Sequence, residues 1–422
     1  MTRRLVVRGA AVALATLLLS GCWLQVGFDP GHSRHNDQET ELTAANVATL
    51  AEAWSAELRQ EASEPMVRGD RVYLATGGAA PDPQVGTVYT VDARAFGTAT
   101  GAPAWSRNLF TFNYCCGGST TPDGLFTPAT FVGDELWTGY VLLVGPRPSG
   151  GFAAPVRLDP ADGTVLGRES VVAVSAAAPV ADVVVQTWLD VGAARSLVVR
   201  DRATRVERWR GSLPQTFDLS PGTPAVADGQ VLVADATRVA AFPLAGCGAP
   251  TCDATWAVDT GQPVGDVAVA PGGDHAFVVA GTELLAFDRA TGTVAWRSPL
   301  GSPAASPAIA DGTVFVAAGS VLRAFPATGC GASVCGSSWT ALLPAAATSS
   351  PTVAGGVVYT GSSAGVTAFP AAGCGGPTCG PLAQLPTDGP VAHLSVAGGR
   401  LFAVTRSPTT ALSHLIAFTP DP

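Results

Sequence analysis

Nine cysteines stand in this sequence of 422 residues, and the spacing of eight of them suggests chemistry. Two are adjacent, Cys115 and Cys116, in the stretch "YCCGG". The other six form three copies of C-x4-C, namely Cys247 and Cys252, Cys330 and Cys335, and Cys374 and Cys379. Thiols at such spacings bind metals or form disulfides, and the redox state of the compartment decides between these outcomes.

The first 22 residues indicate export. Arg3, Arg4 and Arg8 precede the apolar run "AAVALATLLL", which is too short to cross a bilayer and is typical of a signal peptide. The run ends in "LSGC", which resembles the bacterial lipobox, whose cysteine receives diacylglycerol and becomes the first mature residue. We therefore predict a lipoprotein signal peptide over residues 1–22 and lipidation of Cys22. An ordinary signal peptide or a short membrane anchor is the alternative.

The C-x4-C pairs are predicted to be local disulfides. An exported protein lies in an oxidising compartment, where an even number of remaining cysteines favours pairing. A metal site needs four converging ligands, but no pair has a histidine nearby and each pair falls in a different sequence repeat. By elimination Cys115 and Cys116 bond to each other. Adjacent Cα atoms are ~3.8 Å apart, below the usual disulfide range, so this bridge is strained and more easily reduced.

Other polar residues give weaker signals. His32 and His35 lie in a polar stretch where metal capture is conceivable, but residues 23–44 are predicted to be a solvated tether and entry segment. The "DPADG" stretch from Asp159 lacks the oxygen ligands of a calcium loop at positions 161 and 163, and it predicts a turn. The remaining histidines have no fixed spacing to a cysteine or an acid; they are His275, His393 and His414.

Composition narrows the class of protein. The net charge is −9, lysine is absent and the arginines are scattered, which argues against a nucleic-acid partner. Abundant Ala, Val, Gly and Pro with few charged residues are typical of a β-rich chain of short strands and turns.

A repeat runs through most of the chain. Eight short apolar runs each follow a turn dipeptide, and these dipeptides begin at Gly69, Gly133, Ala181, Asp228, Gly272, Asp311, Gly355 and Gly398. The first interval is 64 residues and the others are 39 to 48 residues. A tryptophan follows in phase in five units, at Trp105, Trp209, Trp256, Trp296 and Trp339. A period near 44 with several short strands per unit predicts the four-stranded blades of a β-propeller.

Eight turns predict eight blades. The fold predicted for residues 45–422 is therefore all-β, an eight-bladed propeller of four-stranded antiparallel blades. The stretch "EAWSAEL" from Glu52 is predicted to pair with the last blade and close the ring, which removes exposed sheet edges. Seven blades are the alternative count, because the second and third units are irregular. Two stacked β-sandwiches are the alternative fold, but they would not keep a constant period.

Residues 284–301 connect the repeat to a known family. Their A-x-D-x-x-T-G-x-x-x-W pattern resembles the tryptophan-docking repeat of PQQ-like propellers, and partial matches occur at residues 91–105 and 199–209. Residues 27–54 resemble the entry segment of the same proteins. The family includes quinoprotein alcohol dehydrogenases and BamB-type lipoprotein scaffolds of outer-membrane β-barrel assembly. The resemblance implies that Asp and Thr-Gly form a turn while the indole packs against a neighbouring blade. It indicates a fold more than an activity.

The same resemblance suggests a role for the adjacent cysteines. In the dehydrogenases a vicinal disulfide soon after the first-blade tryptophan packs on the PQQ ring, and Cys115 and Cys116 follow Trp105 in that order. The long first interval places the pair in an insertion between blades 1 and 2, where binding functions are often carried. However, the dehydrogenases also need a calcium site and an aspartate base, and no matching residue set is evident. The nearest acids read equally well as turn residues; they are Asp123, Asp134 and Glu135.

These observations lead to one expected function and two alternatives. We expect a lipoprotein with a monomeric propeller that acts as a non-catalytic scaffold for cell-envelope proteins, with no cofactor, metal or catalytic residue. Trp23 at the second mature position is not an acidic inner-membrane retention signal, so we expect the lipid anchor to attach the protein to the cell membrane, or to the outer membrane of a two-membrane host. The alternatives are a PQQ- and calcium-dependent dehydrogenase of an alcohol or sugar, with Cys115 and Cys116 at the cofactor, and a small-ligand sensor that uses the central channel.

Overall fold

The computed structural model describes residues 22–421 except 59–60, 83–85, 115–123, 144–150, 170, 172, 190–194, 214–221 and 408–411. The described residues form strands and one 3-10 turn at Val47–Thr49. No helix in this part of the chain has the length and apolar character needed to cross a membrane. In chain order the strands are β1 (Cys22–Trp23), β2 (His35–Asn36), β3 (Leu50–Glu57), β4 (Glu61–Ala62), β5 (Met66–Arg68), β6 (Arg71–Asp82), β7 (Gly86–Gly97), β8 (Pro103–Tyr114), β9 (Gly124–Val132), β10 (Glu135–Leu143), β11 (Gly151–Leu158), β12 (Val165–Arg168), β13 (Ala178–Val180), β14 (Val183–Leu189), β15 (Arg195–Asp201), β16 (Glu207–Leu213), β17 (Ala225–Ala227), β18 (Gln230–Asp235), β19 (Arg238–Pro243), β20 (Thr251–Cys252), β21 (Trp256–Asp259), β22 (His275–Ala280), β23 (Glu283–Asp288), β24 (Val294–Pro299), β25 (Ala308–Ala310), β26 (Thr313–Ala318), β27 (Val321–Pro326), β28 (Trp339–Leu342), β29 (Thr352–Ala354), β30 (Val357–Ser362), β31 (Gly365–Pro370), β32 (Thr378–Cys379), β33 (Ala383–Leu385), β34 (Val391–Ala397), β35 (Arg400–Arg406) and β36 (Ser413–Pro420).

The described strands form eight sheets, which confirms the eight-bladed propeller. In ring order the blades contain β1 with β4–β8, β9–β12, β13–β16 with β20, β17–β19 with β21, β22–β24, β25–β28 with β32, β29–β31 with β2 and β33, and β34–β36 with β3. In blade 5 the innermost position is taken by residues 264–268, which are joined to β22 by bridges from Val264 to Ala280 and from Ala268 to Phe277.

All eight predicted hairpin turns lie between two inner segments of a blade; in blade 1 these segments are β5 and β6, and in blade 5 they are residues 264–268 and β22. At Asp228–Gly229 and Asp311–Gly312 both central residues have positive φ, as type I′ turns require. We call the end of the ring that carries these eight turns the lower end. The opposite end, where the second strand of each blade joins the third, is called the upper end.

The N-terminal strand closes the ring as predicted. β3 pairs antiparallel with β36, with Ala51 opposite Thr419 and Ala56 opposite Leu415, and so becomes the outer strand of blade 8. The first and last segments of the propeller therefore share one sheet. This closure hydrogen-bonds an edge of β36 that would otherwise be open to other chains.

Tryptophans of the outer strands dock on the next blade, which confirms the packing that the family resemblance implied. Trp256 lies against Gly292, where a Cβ would come within 2.5 Å of indole Cδ2, and its Nε1 donates to the Arg289 carbonyl at 2.8 Å. Gly292 has φ +74, so glycine suits both the conformation and the close approach. Equivalent pairs are Trp54–Gly101, Trp105–Gly163, Trp209–Gly246, Trp296–Gly329 and Trp339–Gly373. These pairs join six of the eight blade junctions.

The strands β19, β23, β27 and β31 each contain the dipeptide Ala-Phe near their C-terminal end, and the same junctions explain this recurrence. The rings of Trp209 and Phe242 have centroids 6.2 Å apart, and those of Trp296 and Phe325 are 6.1 Å apart. Phe242 and Phe325 are fully buried between blades. Burial of such large aromatic side chains supplies much of the apolar stabilisation between neighbouring sheets.

Three disulfides replace a hydrogen-bonded turn. In blade 5, Asp288 accepts hydrogen bonds from the backbone N–H and the hydroxyl of Thr291, both at 2.8 Å. In blades 4, 6 and 7 the equivalent turn contains Cys247–Cys252, Cys330–Cys335 and Cys374–Cys379, all bonded as predicted. Two of the loops closed by these disulfides also cover sheet edges. β20 pairs in parallel with β16, and β32 pairs in parallel with β28, so each covers the outer strand of the preceding blade.

Candidate functional site

Residues 22–36 lie across the centre of the ring, and from here on the name entry segment means these residues alone. The innermost strands face the axis with free backbone groups, and the carbonyls of this segment accept hydrogen bonds from them. The pairs are Phe131 N–H to Leu24, Val226 to Pro30, Val269 to Gly31, Ile309 to Ser33 and Val353 to Arg34, at 2.6 to 2.8 Å. The entry segment thus connects many blades and divides the central channel into an upper and a lower part.

The prediction that residues 23–44 form a solvated tether is therefore wrong for residues 23–36, which are built into the ring. Trp23 and Asn36 have no exposed surface, and His32 is only 3% exposed. Burial lowers the pKa of His32 to about 3, with a further contribution from the positive charge of Arg34. His32 is thus neutral at pH 7 and serves packing. Within the described ranges no three His, Cys, Asp or Glu side chains are grouped to hold a metal ion.

Glu64 holds the entry segment to blade 1. One carboxylate oxygen accepts hydrogen bonds from Trp23 Nε1 at 2.7 Å and from Gly27 N–H at 3.0 Å. The other accepts from Arg34 Nη1 at 3.1 Å, and both charged side chains are buried. A buried carboxylate needs such partners, because an unpaired charge in this environment costs several kcal/mol.

Above Arg34 a polar pocket of about 380 Å³ opens toward the upper end. Its walls are mostly Gly, Ala and Ser, and the larger polar groups are Asp266 and His393. Burial raises the pKa of Asp266, which the nearby Arg34 charge partly offsets, and burial lowers the pKa of His393. A pocket of this kind can hold a small polar ligand through hydrogen bonds.

A second pocket of about 510 Å³ lies at the lower end, between the entry segment and the turns of blades 5 and 6. Its polar lining includes Asp29, His35, Asp274 and His275. Burial raises the pKa of Asp29, whose carboxylate accepts a hydrogen bond from Ser33 N–H at 3.0 Å. These contacts fix the backbone of the entry segment.

The described residues do not fit a calcium–quinone centre. Calcium takes six to eight oxygen ligands, whereas Asp266 supplies the one carboxylate in the described lining of the upper pocket; Glu64 lies nearby and is held by Arg34. Of the acids considered in the sequence, Asp134 pairs with Arg68 at the lower end. Glu135 accepts hydrogen bonds from Arg157 and Trp137. Three predicted positions lie outside the described residues: Cys115, Cys116 and Asp123.

The extra residues of the first repeat interval lengthen blade 1. β6, β7 and β8 contain 12 residues each, whereas β18 and β19 contain six. At ~3.3 Å per residue the added length is about 20 Å, and it lies at the upper end. Blade 2 supports it, because Phe110 stacks on Tyr140 with centroids 4.2 Å apart and Phe126 lies against Gly77. We call these two blades the tall wall.

Cys22 lies at the lower end. It is partly exposed in β1 and pairs with Arg68, next to the turn at Gly69. Burial raises the pKa of its thiol. Residues 1–21 lie outside the described part of the chain, and lipidation of Cys22 stays a prediction.

Sequence reasoning missed the central cluster. Arg34, Glu64 and Asp266 have no spacing that links them, and only the folded ring brings them together. His393, which has no fixed spacing to a cysteine or an acid in the sequence, lies in the upper pocket, and His275 lies in the lower one. The likeness of residues 27–54 to an entry segment was the available signal.

Comparisons with known proteins agree with this fold. Residues 244–373 match a family model described as "Outer membrane protein assembly factor BamB". The structure is similar to the quinohemoprotein alcohol dehydrogenase ADHIIG from Pseudomonas putida HK5, with 13% identity, a TM-score of 0.66, and coverage of 97% of this chain and 82% of that one. It is also similar to BamB from Moraxella catarrhalis, with 15% identity, a TM-score of 0.52, and coverage of 88% and 98%.

A third similar structure is Sqt1 from Saccharomyces cerevisiae, with 10% identity, a TM-score of 0.52, and coverage of 88% and 99%. Among curated proteins none matches the chain significantly. The resemblance to PQQ-like propellers is confirmed, and at these identities the similar structures establish the fold alone.

Proposed function

We propose that this chain is a membrane-tethered, non-catalytic scaffold that binds proteins of the cell envelope. The observation that carries the proposal is the tall wall. Its extra strand length is placed at the upper end, where it adds recognition surface, and the described lining of the upper pocket includes none of its residues. A stable protein interface needs roughly 800 Å² per partner, and the added strand length contributes surface toward it.

The tall wall is built as a rigid surface. Twelve consecutive residue pairs join β6 to β7, and the Phe110–Tyr140 stack ties blade 1 to blade 2. Rigid recognition surfaces lose little conformational entropy on binding, which favours affinity. Thr111 is exposed on β8 and offers a point at which to probe this surface.

The family match and the lining of the upper pocket also support the proposal. The family model matched by residues 244–373 is described as an outer membrane protein assembly factor. The described lining of the upper pocket contains one carboxylate, that of Asp266, whereas a calcium–quinone dehydrogenase holds its metal with several oxygen ligands. The tether follows from the lipobox resemblance at Cys22 and from the export signal before it.

Site-specific photocrosslinking in intact cells tests the scaffold. A crosslinker at Thr111 should capture discrete envelope proteins, and the matched position Thr204, exposed in a lower-end turn, should capture at least fivefold less of the same proteins. Tyr140→Ala should reduce capture from Thr111 because it removes the stack that supports β8. Equal capture from both positions would contradict a role for the tall wall.

A PQQ titration provides the opposing test. The mature domain, exported so that its disulfides form, is titrated with PQQ and calcium while tryptophan fluorescence and quinone absorbance are followed. We expect no saturable binding at high micromolar PQQ. One-to-one binding that is lost in Cys115→Ser, Cys116→Ser would favour the dehydrogenase and would overturn the non-catalytic proposal.

A further inference from the structure

We infer that the lipid anchor of this protein has no spacer, so that the lower end of the propeller rests on the membrane and the upper end points away from it. This inference rests on the lipid tether of the proposed function. It adds an interaction surface, the lower-end turns around Cys22, and names its partner as a lipid surface.

The first reason is that the residue after the anchor position is already part of the core. Trp23 has no exposed surface, its ring meets Phe28 edge-on with centroids 5.2 Å apart, and its Nε1 donates to Glu64 at 2.7 Å. Releasing Trp23 to make a flexible linker would expose this indole and leave a buried carboxylate without one of its donors. The chain between lipid and propeller is therefore fixed in place.

The second reason is the position of Cys22 itself. β1 pairs with β5, with Cys22 opposite Arg68, and the turn at Gly69 follows immediately. One residue spans at most ~3.6 Å, so acyl chains on Cys22 begin within about that distance of the propeller body. Membrane lipid headgroups must then lie against the lower-end turns of blades 1 and 2, which Arg68 and Asp134 join by an ion pair at 2.7 Å.

The third reason concerns tilt. β1 lies on the inner edge of blade 1, beside the channel, rather than on the outer rim. An anchor near the axis lets the turns of several blades contact the bilayer together. An anchor on the rim would instead allow the ring to stand on its edge.

The charge of this surface predicts how it responds to salt. Acids recur in the turns, at Asp70, Asp134, Asp228, Asp274 and Asp311, and arginines lie among them at Arg68, Arg202, Arg205 and Arg289; Arg68 pairs with Asp134 and Arg289 with Asp228. Charges of both signs are therefore mixed on this surface and the chain as a whole carries −9, so anionic lipid repels the protein and the acyl chains carry the attachment. On anionic vesicles, salt should bring the lower end closer by screening the repulsion, the reverse of a polybasic surface.

The test measures which end is near the bilayer. The lipidated chain is reconstituted into phosphatidylcholine vesicles that contain a headgroup quencher, with a fluorescent non-natural amino acid at Asp70 or at Thr111. We expect at least threefold stronger quenching at Asp70. In a variant with eight Gly and Ser residues inserted between Cys22 and Trp23, this ratio should fall toward one, because the spacer frees the orientation.

The outcomes separate the two claims. Mass spectrometry first establishes whether Cys22 carries lipid, with Cys22→Ser as the unmodified control. An unmodified Cys22 overturns the tether and this inference together. Lipid on Cys22 with equal quenching at both positions, or with stronger quenching at Thr111, overturns the inference alone and leaves the tether intact.

Discussion

Replacing Gly292 with alanine tests whether tryptophan docking holds neighbouring blades together. At Gly292 an added Cβ would lie 2.5 Å from Cδ2 and 2.7 Å from Cε3 of Trp256, so the indole must move. Alanine in this left-handed conformation costs about 1–2 kcal/mol by itself. Overpacking adds about 1–3 kcal/mol, and weakening the hydrogen bond from Trp256 to Arg289 adds about 1 kcal/mol.

Gly312 provides the matched control. Its φ of +73 is nearly that of Gly292 at +74, but nothing lies within 4 Å of its missing Cβ. Gly312→Ala should therefore lower the free energy of unfolding by about 1–2 kcal/mol, for the conformational reason alone. Gly292→Ala should lower it by about 3–6 kcal/mol, so the difference between the two variants measures the docking contact.

Urea unfolding with the disulfides intact, followed by circular dichroism, gives both values from the transition midpoints. A double-mutant cycle sharpens the result: in a Trp256→Ala background, Gly292→Ala should cost no more than Gly312→Ala, because the indole is gone. If the two glycine variants differ by less than about 0.5 kcal/mol in the parent protein, the docking account of the blade junctions is wrong.

Three further predictions concern the central cluster and the staples. Glu64→Gln should lower the free energy of unfolding, measured in urea, by about 3 kcal/mol, because it leaves Arg34 buried without its charge partner. The control Glu61→Gln, at an exposed ion pair with Arg406, should lower it by under about 1 kcal/mol, and equal losses would contradict the anchoring role of Glu64. Acidification from pH 7 toward pH 4 should lower the free energy of unfolding by up to ~1.4 kcal/mol per pH unit for each of two histidines, because the pKa of His32 is lowered to about 3 and that of His393 is also lowered, so protons bind first to the unfolded chain. The raised pKa values of Asp29 and Asp266 act in the opposite sense. His32→Asn leaves these two aspartates unchanged and tolerates the φ of +57, so it should reduce the dependence of the unfolding free energy on pH. Removing the Cys247–Cys252 disulfide by Cys247→Ser, Cys252→Ser should lower the free energy of unfolding by about 2 kcal/mol, as expected for a short loop. This loss should add to that of Cys374→Ser, Cys379→Ser, because the two disulfides lie in different blades; strong non-additivity in the denaturant midpoints would show that the disulfides act together.

Some elements were predictable because neighbours in sequence form them. The turns at Gly69 through Gly398 depend on local residue types, since a hairpin turn needs particular φ values whatever surrounds it. The Trp256–Gly292 contact was predictable as a repeat, because one blade must fit the next in the same way each time. The C-x4-C staples follow for the same reason, since each closes within its own turn.

The sequence by itself determined the repeat, and hence the eight blades, the closing strand and the three local disulfides, because local periodicity and compartment chemistry constrain them. Only the tertiary structure determined that residues 22–36 are buried across the centre of the ring. Their polar composition is typical of a solvated tether, but the centre of a propeller offers free backbone donors from several blades, and Glu64 there needs partners for its charge. Those requirements arise only when the ring has closed, and they bury a polar segment and bring Arg34, Asp266 and His393 to one pocket.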